Sequence, residues 1–312
     1  MARAQGARSQ MALAFETVYG TPPAAGWFKI PFASSGLGSE QPLLNSELLG
    51  YGRDPQAPVP DAIAADGDIA IPIDLRNFGI WLKAAFGDPD TTGTDPYTHV
   101  FDSGGWDLPS MSIEIGMPEV PFFGMNSGAV LNTLSWQMQR SGLLTATAGL
   151  IAQGETPATT TGAGALTELA LKRFSNFQGS VQRGGNPLGN VVNAQINYTN
   201  NLDRIETIRN DGKIDGADPS IAALTGQIDV RFADQTLLMQ AIDGDPAELT
   251  FGYSFGAGES FELVAHAVYL PKPRLQIQGP QGIQASFQWQ AAFDSGVGRM
   301  CTATLINDVA TY

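Results

Sequence analysis

The same series of sequence features occurs twice along this chain, and the repeat constrains the fold more than any other property. In the first half, a strand pattern at residues 67–73 precedes a helix pattern at 74–86, which ends at Gly-Asp-Pro. In the second half, a strand pattern at 226–232 precedes a helix pattern at 234–242, which also ends at Gly-Asp-Pro. The first residues of the two helix patterns, Asp74 and Asp234, are the predicted N-caps, because a short carboxylate accepts hydrogen bonds from free backbone N–H groups. This shared order predicts an internal duplication, and duplicated units favour a pseudo-symmetric ring or array over an enzyme pocket.

Composition and periodicity both favour β structure. The chain contains 36 Gly and 20 Pro, and only 15% of its residues are charged. After each helix, apolar residues alternate with polar, mostly uncharged ones, as in antiparallel strands with one buried face. These strand patterns lie at residues 99–101, 110–115, 131–138, 260–269, 274–278 and 284–290. We predict a mainly β fold of two tandem β-sandwich units, each with one flanking α-helix and a long loop.

The same reading divides the chain into an N-terminal arm (1–27), a first β domain (28–160) and a second β domain (161–312). The Thr- and Gly-rich stretch at 153–164 is the predicted linker. The arm is either a frayed terminus or an extension that packs on a neighbouring subunit. Long loops at 34–66 and 200–224 precede the two strand–helix pairs, and this shared position suggests a shared role in reaching a partner.

The charge pattern argues against a surface that holds nucleic acid. The net charge is −14, and the basic residues are scattered, so the phosphate-neutralising cluster that nucleic-acid binding needs is missing from the sequence. Cys301 is the single cysteine, which excludes an intrachain disulfide. No apolar stretch has the length of a signal core or a membrane span, so we expect synthesis in the cytoplasm and no membrane partner.

We find no residue pattern that indicates catalysis, a metal or a cofactor. His99 and His266 lack further ligands at metal-binding spacing. The acidic stretch at 211–222 departs from a calcium loop, and Cys301 sits in an apolar strand pattern typical of a core residue. We therefore predict a protein that is not an enzyme and binds no cofactor.

Two segments resemble a known family. Residues 6–21 (GARSQMALAFETVYGT) and 48–55 (LLGYGRDP) are similar to parts of the major tail tube proteins of long-tailed, siphovirus-type bacteriophages. Asp66-Gly67-Asp68 and the stretch Arg76–Gly79 add to the resemblance. In the N-terminal third the individual residues are similar, and in the rest of the chain only the order of strands, helices and loops is similar.

That resemblance implies a structural protein of the virion tail. Such proteins form a β-sandwich with one helix and a long loop, and they self-assemble into stacked rings around a lumen through which DNA is delivered. Strands of neighbouring subunits join into a barrel, which removes exposed strand edges. The resemblance also implies tail tip, tape measure and terminator proteins as partners. An acidic wall would keep DNA from adhering.

The resemblance also implies a ring with sixfold symmetry, because many tail tube proteins contribute one unit each to such a ring. With two units per chain, we predict a pseudo-sixfold ring of three chains, and a hexamer of whole chains is the alternative. Ring-to-ring contacts then fall on the arm and on the loops at 41–66 and 202–224, while strands at 131–138 and 284–290 belong to the barrel or its backing sheet. The candidate contact residues are Arg3, Arg8, Leu48, Leu49, Tyr51, Arg53, Asp54, Ile214 and Asp215.

Two other functions remain open from the sequence. A virion β-sandwich that serves as a binding or adhesion module would expose aromatic side chains, and Trp106, after Ser103-Gly104-Gly105, is the best candidate. A hydrolase on a β scaffold is disfavoured by the scarcity of His and Cys and by the lack of a catalytic motif.

Overall fold

A computed structural model describes residues 3–256, 258–275, 279 and 282–312 of the chain. The helices are α1 (Phe78–Phe86) and α2 (Thr236–Asp243), and the short 3-10 helices are Gly6–Arg8 and Asn176–Gln178. In the first half, the strands are β1 (Gln10–Phe15), β2 (Trp27–Lys29), β3 (Ser34–Ser35), β4 (Gly38–Glu40), β5 (Leu43–Leu44), β6 (Val59–Pro60), β7 (Ala64–Pro72), β8 (Asp90–Gly93), β9 (Tyr97–Asp102), β10 (Met111–Met117), β11 (Phe122–Gln139), β12 (Thr145–Ile151) and β13 (Gly154–Ala158). They continue as β14 (Leu166–Thr167), β15 (Gly179–Arg183), β16 (Asn186–Pro187), β17 (Val191–Thr199), β18 (Asp203–Ile205), β19 (Gly216–Asp218), β20 (Ala223–Arg231), β21 (Ala247–Gly256), β22 (Glu259–Tyr269), β23 (Gln284–Ala292) and β24 (Cys301–Asn307).

The 18-residue strand β11 belongs to two sheets. Its first half lies in sheet A, which has the order β13–β11–β10–β1–β2–β14. Its second half lies in a six-strand run with the order β7–β12–β11–β17–β20–β23, in which every neighbouring pair is antiparallel. The transition occurs at Gly128, whose φ of 62° lies in the left-handed region that favours glycine.

The six-strand run packs against a back layer formed by β15, β21, β22, β24, β9 and β8, and the two layers join where β22 pairs with β23. Aromatic rings fill the space between them. Phe251 of β21 stacks on Trp289 of β23 with 5.5 Å between ring centroids, and Phe261 of β22 lies 6.0 Å from Trp136 of β11. The predicted mainly β fold is confirmed.

Helix α1 closes the core at one side of this sandwich. Its apolar residues are buried on nearly every side, and the Phe78 ring lies edge-on to Phe261 at 5.0 Å. The sequence predicts Asp74 as the N-cap, which is wrong, because the helix begins after Asn77. The Asp74 carboxylate instead accepts hydrogen bonds from the backbone N–H groups of Arg76 and Asn77 in the preceding turn.

Helix α2 repeats the strand–helix order but not the packing. It buries Leu237, Gln240 and Ala241 and leaves Met239 and Ile242 about half exposed. Asp234 accepts a bond from the backbone N–H of Thr236, but Gln235 holds the N-cap position, so this predicted N-cap is also wrong.

Both predicted strand–helix pairs are present, in the expected order. Strands β7 and β20 occupy the same six-strand run, and each helix ends at a glycine with positive φ, Gly87 or Gly244. One hydrophobic core extends through both halves of the chain. The tandem domains at 28–160 and 161–312, and the duplication itself, stay predictions.

Several segments differ from their predicted form. Residues 10–15, within the predicted arm, form strand β1, which pairs with β10 because Met11 and Leu13 are apolar and become fully buried. Within the predicted linker, residues 154–158 form strand β13 and pair with β11. The strand predicted at 274–278 falls largely outside the described residues, since 276–278 are not described.

Candidate functional site

Two loops leave the same end of the six-strand run. Loop 1 (residues 41–63) leads into the start of β7, and loop 2 (residues 200–222) joins the end of β17 to the start of β20. The register places the start of β7, the end of β17 and the start of β20 at the same end of the run, where β17 and β20 are neighbours and β12 and β11 lie between β7 and β17. We call this the loop end of the molecule.

The loops also contact each other. The backbone N–H of Ile63 donates to the carbonyl oxygen of Gly212 over 2.8 Å, and Asp66 at the base of loop 1 pairs with Arg204 of loop 2. Loop 1 contains the hairpin β5–β6, and loop 2 contains the hairpin β18–β19. Both long loops are therefore partly ordered by their own strands and by one another.

The tip of loop 1 exposes large apolar side chains. Leu49 is 93% exposed, and Leu48 and Tyr51 are about two-thirds exposed. Arg53 and Asp54, also predicted contact residues, are exposed beside them. A cluster of this size on a surface loop is typical of a contact surface for another molecule.

The candidate residues of loop 2 are polar and tied down. Asp215 receives a hydrogen bond from Arg209 over 2.7 Å, while Ile214 is half-buried. Hydrogen bonds from the same Arg209 hold the pKa of the Asp211 carboxyl well below its usual range. The sequence analysis did not name Ile208 and Ile221 as contact candidates, although Ile208 is fully exposed and Ile221 is largely exposed. Both are apolar residues in a polar stretch of sequence, and this contrast could have identified them.

Arg3 and Arg8 are not brought together with the loops. Arg8 forms an ion pair with Glu119 at 2.6 Å, and the Gln5 backbone N–H donates to the same carboxylate. Glu119 lies in the turn between β10 and β11, so Arg8 fastens the N-terminal segment to its own chain. Arg3 is exposed.

The opposite end of the six-strand run carries a second apolar patch that the sequence reasoning also missed. Leu143, in the turn between β11 and β12, is 67% exposed, and Phe177 is 81% exposed. A β-bridge between Leu143 and Ser175, together with a hydrogen bond from Asn176 to the carbonyl of Gly142, holds these two segments side by side. We call Leu143 and Phe177 the far-end patch.

One face of the six-strand run is covered with uncharged polar side chains. The register aligns Gln137, Gln195, Gln227 and Gln288 as direct neighbours on four adjacent strands. These side chains are exposed or half-exposed, whereas those on the other face are buried in the core. We call this surface the amide face.

A groove near the loop end exposes aromatic groups. Trp106, Ile221 and Phe293 are each more than two-thirds exposed and line a space of about 500 Å³. Trp106, the candidate exposed aromatic residue of the alternative binding module, is therefore exposed rather than packed in the core.

The titratable groups named from the sequence lie in structural roles. His99 is buried and bonds to Thr91 and to the Val309 carbonyl, and burial lowers its pKa. Cys301 is fully buried, and burial raises the pKa of its thiol to about 12, so it is a core residue as predicted. Within the described residues, no three His, Cys, Asp or Glu side chains are grouped closely enough to hold a metal ion.

A comparison with known protein families identifies the family of this chain. A family model described as "Phage tail tube protein" matches residues 6–291. The chain belongs to this family. The tail tube family places the protein in the phage tail as a structural subunit that self-assembles into a tube, a role distinct from that of an enzyme.

Other comparisons add little to this. No curated protein matches the tail tube chain. Among solved structures, the toluene transporter TodX of Pseudomonas putida is 11% identical over 96% of this chain and 87% of that chain, with a TM-score of 0.10, which is too low to support any inference. Among the described residues, neither helix has the length and apolar character needed to cross a membrane.

Proposed function

We propose that this tail tube protein builds stacked rings that form the DNA-delivery tube of a long-tailed, siphovirus-type phage. The observation that carries the proposal is the position of the two apolar patches. The exposed tip of loop 1 (Leu48, Leu49 and Tyr51) belongs to the loop end, and the far-end patch (Leu143 and Phe177) lies at the other end of the six-strand run.

Patches at opposite ends favour head-to-tail contact. A contact between two different surfaces of identical subunits generates a ring if the rotation between subunits closes and an open, repeating stack if it does not, and patches at opposite ends of the subunit favour the open stack. Subunits placed side by side form the ring, and the tips of one ring reach the far-end patch of the next. Leu48, Leu49, Tyr51, Arg53 and Asp54 are the primary ring-to-ring contacts in this arrangement, with Ile214 and Asp215 behind them.

The ring contains three chains in our proposal, because each chain carries two strand–helix pairs. A hexamer of whole chains is the alternative. DNA passes through the lumen, and the tail tip, tape measure and terminator proteins bind the ends and the interior of the tube. The chain is made in the host cytoplasm before it joins the tail.

Negative-stain electron microscopy of the purified chain, alone and mixed with tail-tip complexes from its phage, tests this proposal. We expect hollow tubes, and rotational averages of end-on views with threefold symmetry. Sixfold averages with six chains per ring would replace the trimer with the hexamer. Particles that remain single chains under both conditions would contradict the tube.

The groove formed by Trp106, Ile221 and Phe293 favours a second candidate, a virion binding module. Exposed aromatic side chains are typical of sites that bind sugars or other partners. Glycan-array binding that is lost in Trp106→Ala would support this candidate, whereas tube formation by the same variant would leave the groove without a role in assembly.

A further inference from the structure

We propose that neighbouring chains of one ring are joined by hairpin β5–β6 of each chain, which docks in the groove lined by Trp106, Ile221 and Phe293 of the next chain. We call these two elements the edge hairpin and the aromatic groove. The inference rests on the proposed function and adds the surface that closes the ring, separate from the contacts between rings. Its basis is that the two elements lie at opposite edges of the six-strand run and at the same end of it.

The edge hairpin lies outside β7, the first strand of the run. Strand β4 pairs with β7 on the side away from β12, and its last residue, Glu40, is opposite Ala64 at the start of β7. The hairpin begins only two residues after β4. It therefore lies at the loop end and at the edge of the run, where a neighbouring chain would stand.

The edge hairpin is ordered but exposes its apolar side chains. Leu43 and Val59 are each more than half exposed, and Leu44 is about half exposed. The backbone N–H of Asp61 donates to the carbonyl oxygen of Pro42 over 2.9 Å, which closes the base of the hairpin. Because its shape is already fixed, docking would cost little conformational entropy.

The aromatic groove lies at the other edge of the run. Phe293 directly follows β23, the last strand of the run, and Ile221 precedes the start of β20, so both are at the loop end. The groove encloses about 500 Å³, which is room for several side chains. Among the described residues that line it, none belongs to the chain's own loop 1. The edge hairpin that could fill it is therefore that of another chain.

The two surfaces have matching chemistry. Arg299 is the charged side chain among the described lining residues, and it is paired with Asp102 of its own chain. The four paired residues of the edge hairpin carry no charge. Aromatic residues are enriched and charged residues depleted at the centres of protein interfaces. An apolar contact of this kind should also persist at high salt, which weakens exposed ion pairs.

Opposite edges at the same end suit a ring. When chains stand side by side with their strands in the same direction, the edge hairpin of one chain faces the aromatic groove of the next. A contact between two different surfaces closes into a ring when the rotation between subunits divides the circle. The tip of loop 1 and the far-end patch stay available for contacts between rings.

Cross-linking of assembled tubes tests which chains the contact joins. In Leu43→Cys/Phe293→Cys both new thiols are at exposed positions, whereas the native Cys301 is fully buried. We expect a short bis-maleimide to give a covalent ladder that ends at the number of chains in one ring, three in our proposal and six in its alternative. Leu43→Cys/Val192→Cys, with its second thiol at the far end, should lack that product.

Three results of this experiment have different meanings. A ladder that continues without limit would place the contact between rings and overturn the inference. Intact tubes without any Leu43→Cys/Phe293→Cys cross-link would also overturn it, although the tube itself would stand. Absence of tubes from the wild-type chain would instead contradict the proposed function.

Two isoleucines of loop 2 provide a matched pair of substitutions. Ile221 lines the aromatic groove, whereas Ile208 is fully exposed and does not line it. We expect Ile221→Ser to lower the pelleted tube mass about tenfold and Ile208→Ser to change it less than about twofold, with circular dichroism spectra unchanged for both. Equal loss in the two variants, or no loss in Ile221→Ser, would overturn the inference.

Trp106 reports whether the groove is filled. It is 69% exposed, while the other four of the five tryptophans are buried, so acrylamide should quench mainly Trp106 in the free chain. We expect this quenching to fall when tubes form, to the low level of the Trp106→Phe chain. Undiminished quenching in tubes, or binding of glycans in the groove of intact tubes, would show that the groove stays open and would overturn the inference.

Discussion

The carboxylate of Glu16 accepts a hydrogen bond from the backbone N–H of Gly128 over 2.9 Å. Gly128 is the point where β11 passes from sheet A into the six-strand run, and Glu16 follows directly after β1. The same carboxylate accepts bonds from the Ser110 hydroxyl and the Gly20 backbone N–H, each over 2.8 Å. One side chain thus ties the N-terminal segment to the junction of the two sheets.

Replacing that carboxylate with an amide should destabilise the fold. In Glu16→Gln, an N–H group faces donors that need an acceptor, so we expect a loss of about 1–3 kcal/mol of unfolding free energy. Urea denaturation followed by fluorescence measures it. Glu206→Gln, an exposed change in loop 2, should stay within about 0.5 kcal/mol of wild type. Equal stability of the two variants would show that Glu16 is dispensable.

Asp74 should make stability fall as pH rises. Burial raises the pKa of this carboxyl above its usual range, against the hydrogen bonds from Asn77 and Arg76 that lower it. The folded chain therefore holds the proton more tightly than the unfolded chain, so the stabilisation is fully present below the unfolded pKa and is lost as pH rises through the folded pKa. Asp74→Asn cannot ionise, and we expect its stability to increase relative to wild type from about pH 4 to pH 7.

Asp234→Asn provides the control of opposite sign for that measurement. Hydrogen bonds from Thr236 lower the pKa of Asp234, so its contribution is present above the unfolded pKa and is lost as pH falls through the folded pKa. Urea unfolding of both variants over this pH series should give differences from wild type that change in opposite directions. Parallel curves would refute the assignment of the buried charge to Asp74.

Gly79 tests how Tyr312 packs on helix α1. Alanine would favour a helix interior by about 1 kcal/mol over glycine, but its Cβ atom would overlap the Tyr312 ring. The Tyr312 hydroxyl donates to the carbonyl of Arg76 over 2.6 Å, which holds the ring in place. We expect Gly79→Ala to destabilise the wild-type chain and to be neutral or stabilising in a Tyr312→Ala background. A thermal-denaturation double-mutant cycle measures the coupling, and additive effects would rule out the packing contact.

Removing the apolar tip of loop 1 should stop stacking without unfolding the chain. Leu48→Ser/Leu49→Ser removes exposed side chains, so we expect an unchanged circular dichroism spectrum and at least a tenfold drop in tube mass in pelleting assays. Leu166→Ser in β14, also exposed, is the matched control. Because the tip variant keeps its far-end patch, small amounts should also shorten wild-type tubes by capping one end. Full-length tubes containing the variant would exclude the tip as a ring contact.

Local sequence signals predicted the two helices and part of the strands, namely β7, β9, β10, β11, β20, β22 and β23. The alternation of apolar and polar residues predicted these strands, and Gly87 and Gly244 predicted the helix ends. Both signals depend only on residues that are close together in the sequence. Leu48, Leu49 and Tyr51, named from the resemblance as ring-to-ring contacts, are exposed, and their role as contacts stays a prediction. The N-caps were misplaced because Asp74 bonds to turn residues before α1 begins, whereas Asp234 lies one residue before the N-cap Gln235 and bonds to Thr236, the first residue of α2.

Long-range pairing decided what the sequence left open. No local sequence signal shows which strands β1 pairs with, and in the structure it lies between β10 and β2, where Met11 and Leu13 are buried. The far-end patch likewise joins Leu143 and Phe177 through a bridge between distant segments. The sequence by itself determined the β class, the two strand–helix pairs and the family. Tertiary structure decided which strands lie side by side, and so placed four distant glutamines in one row, because strand register depends on the burial of opposite faces across the whole sheet.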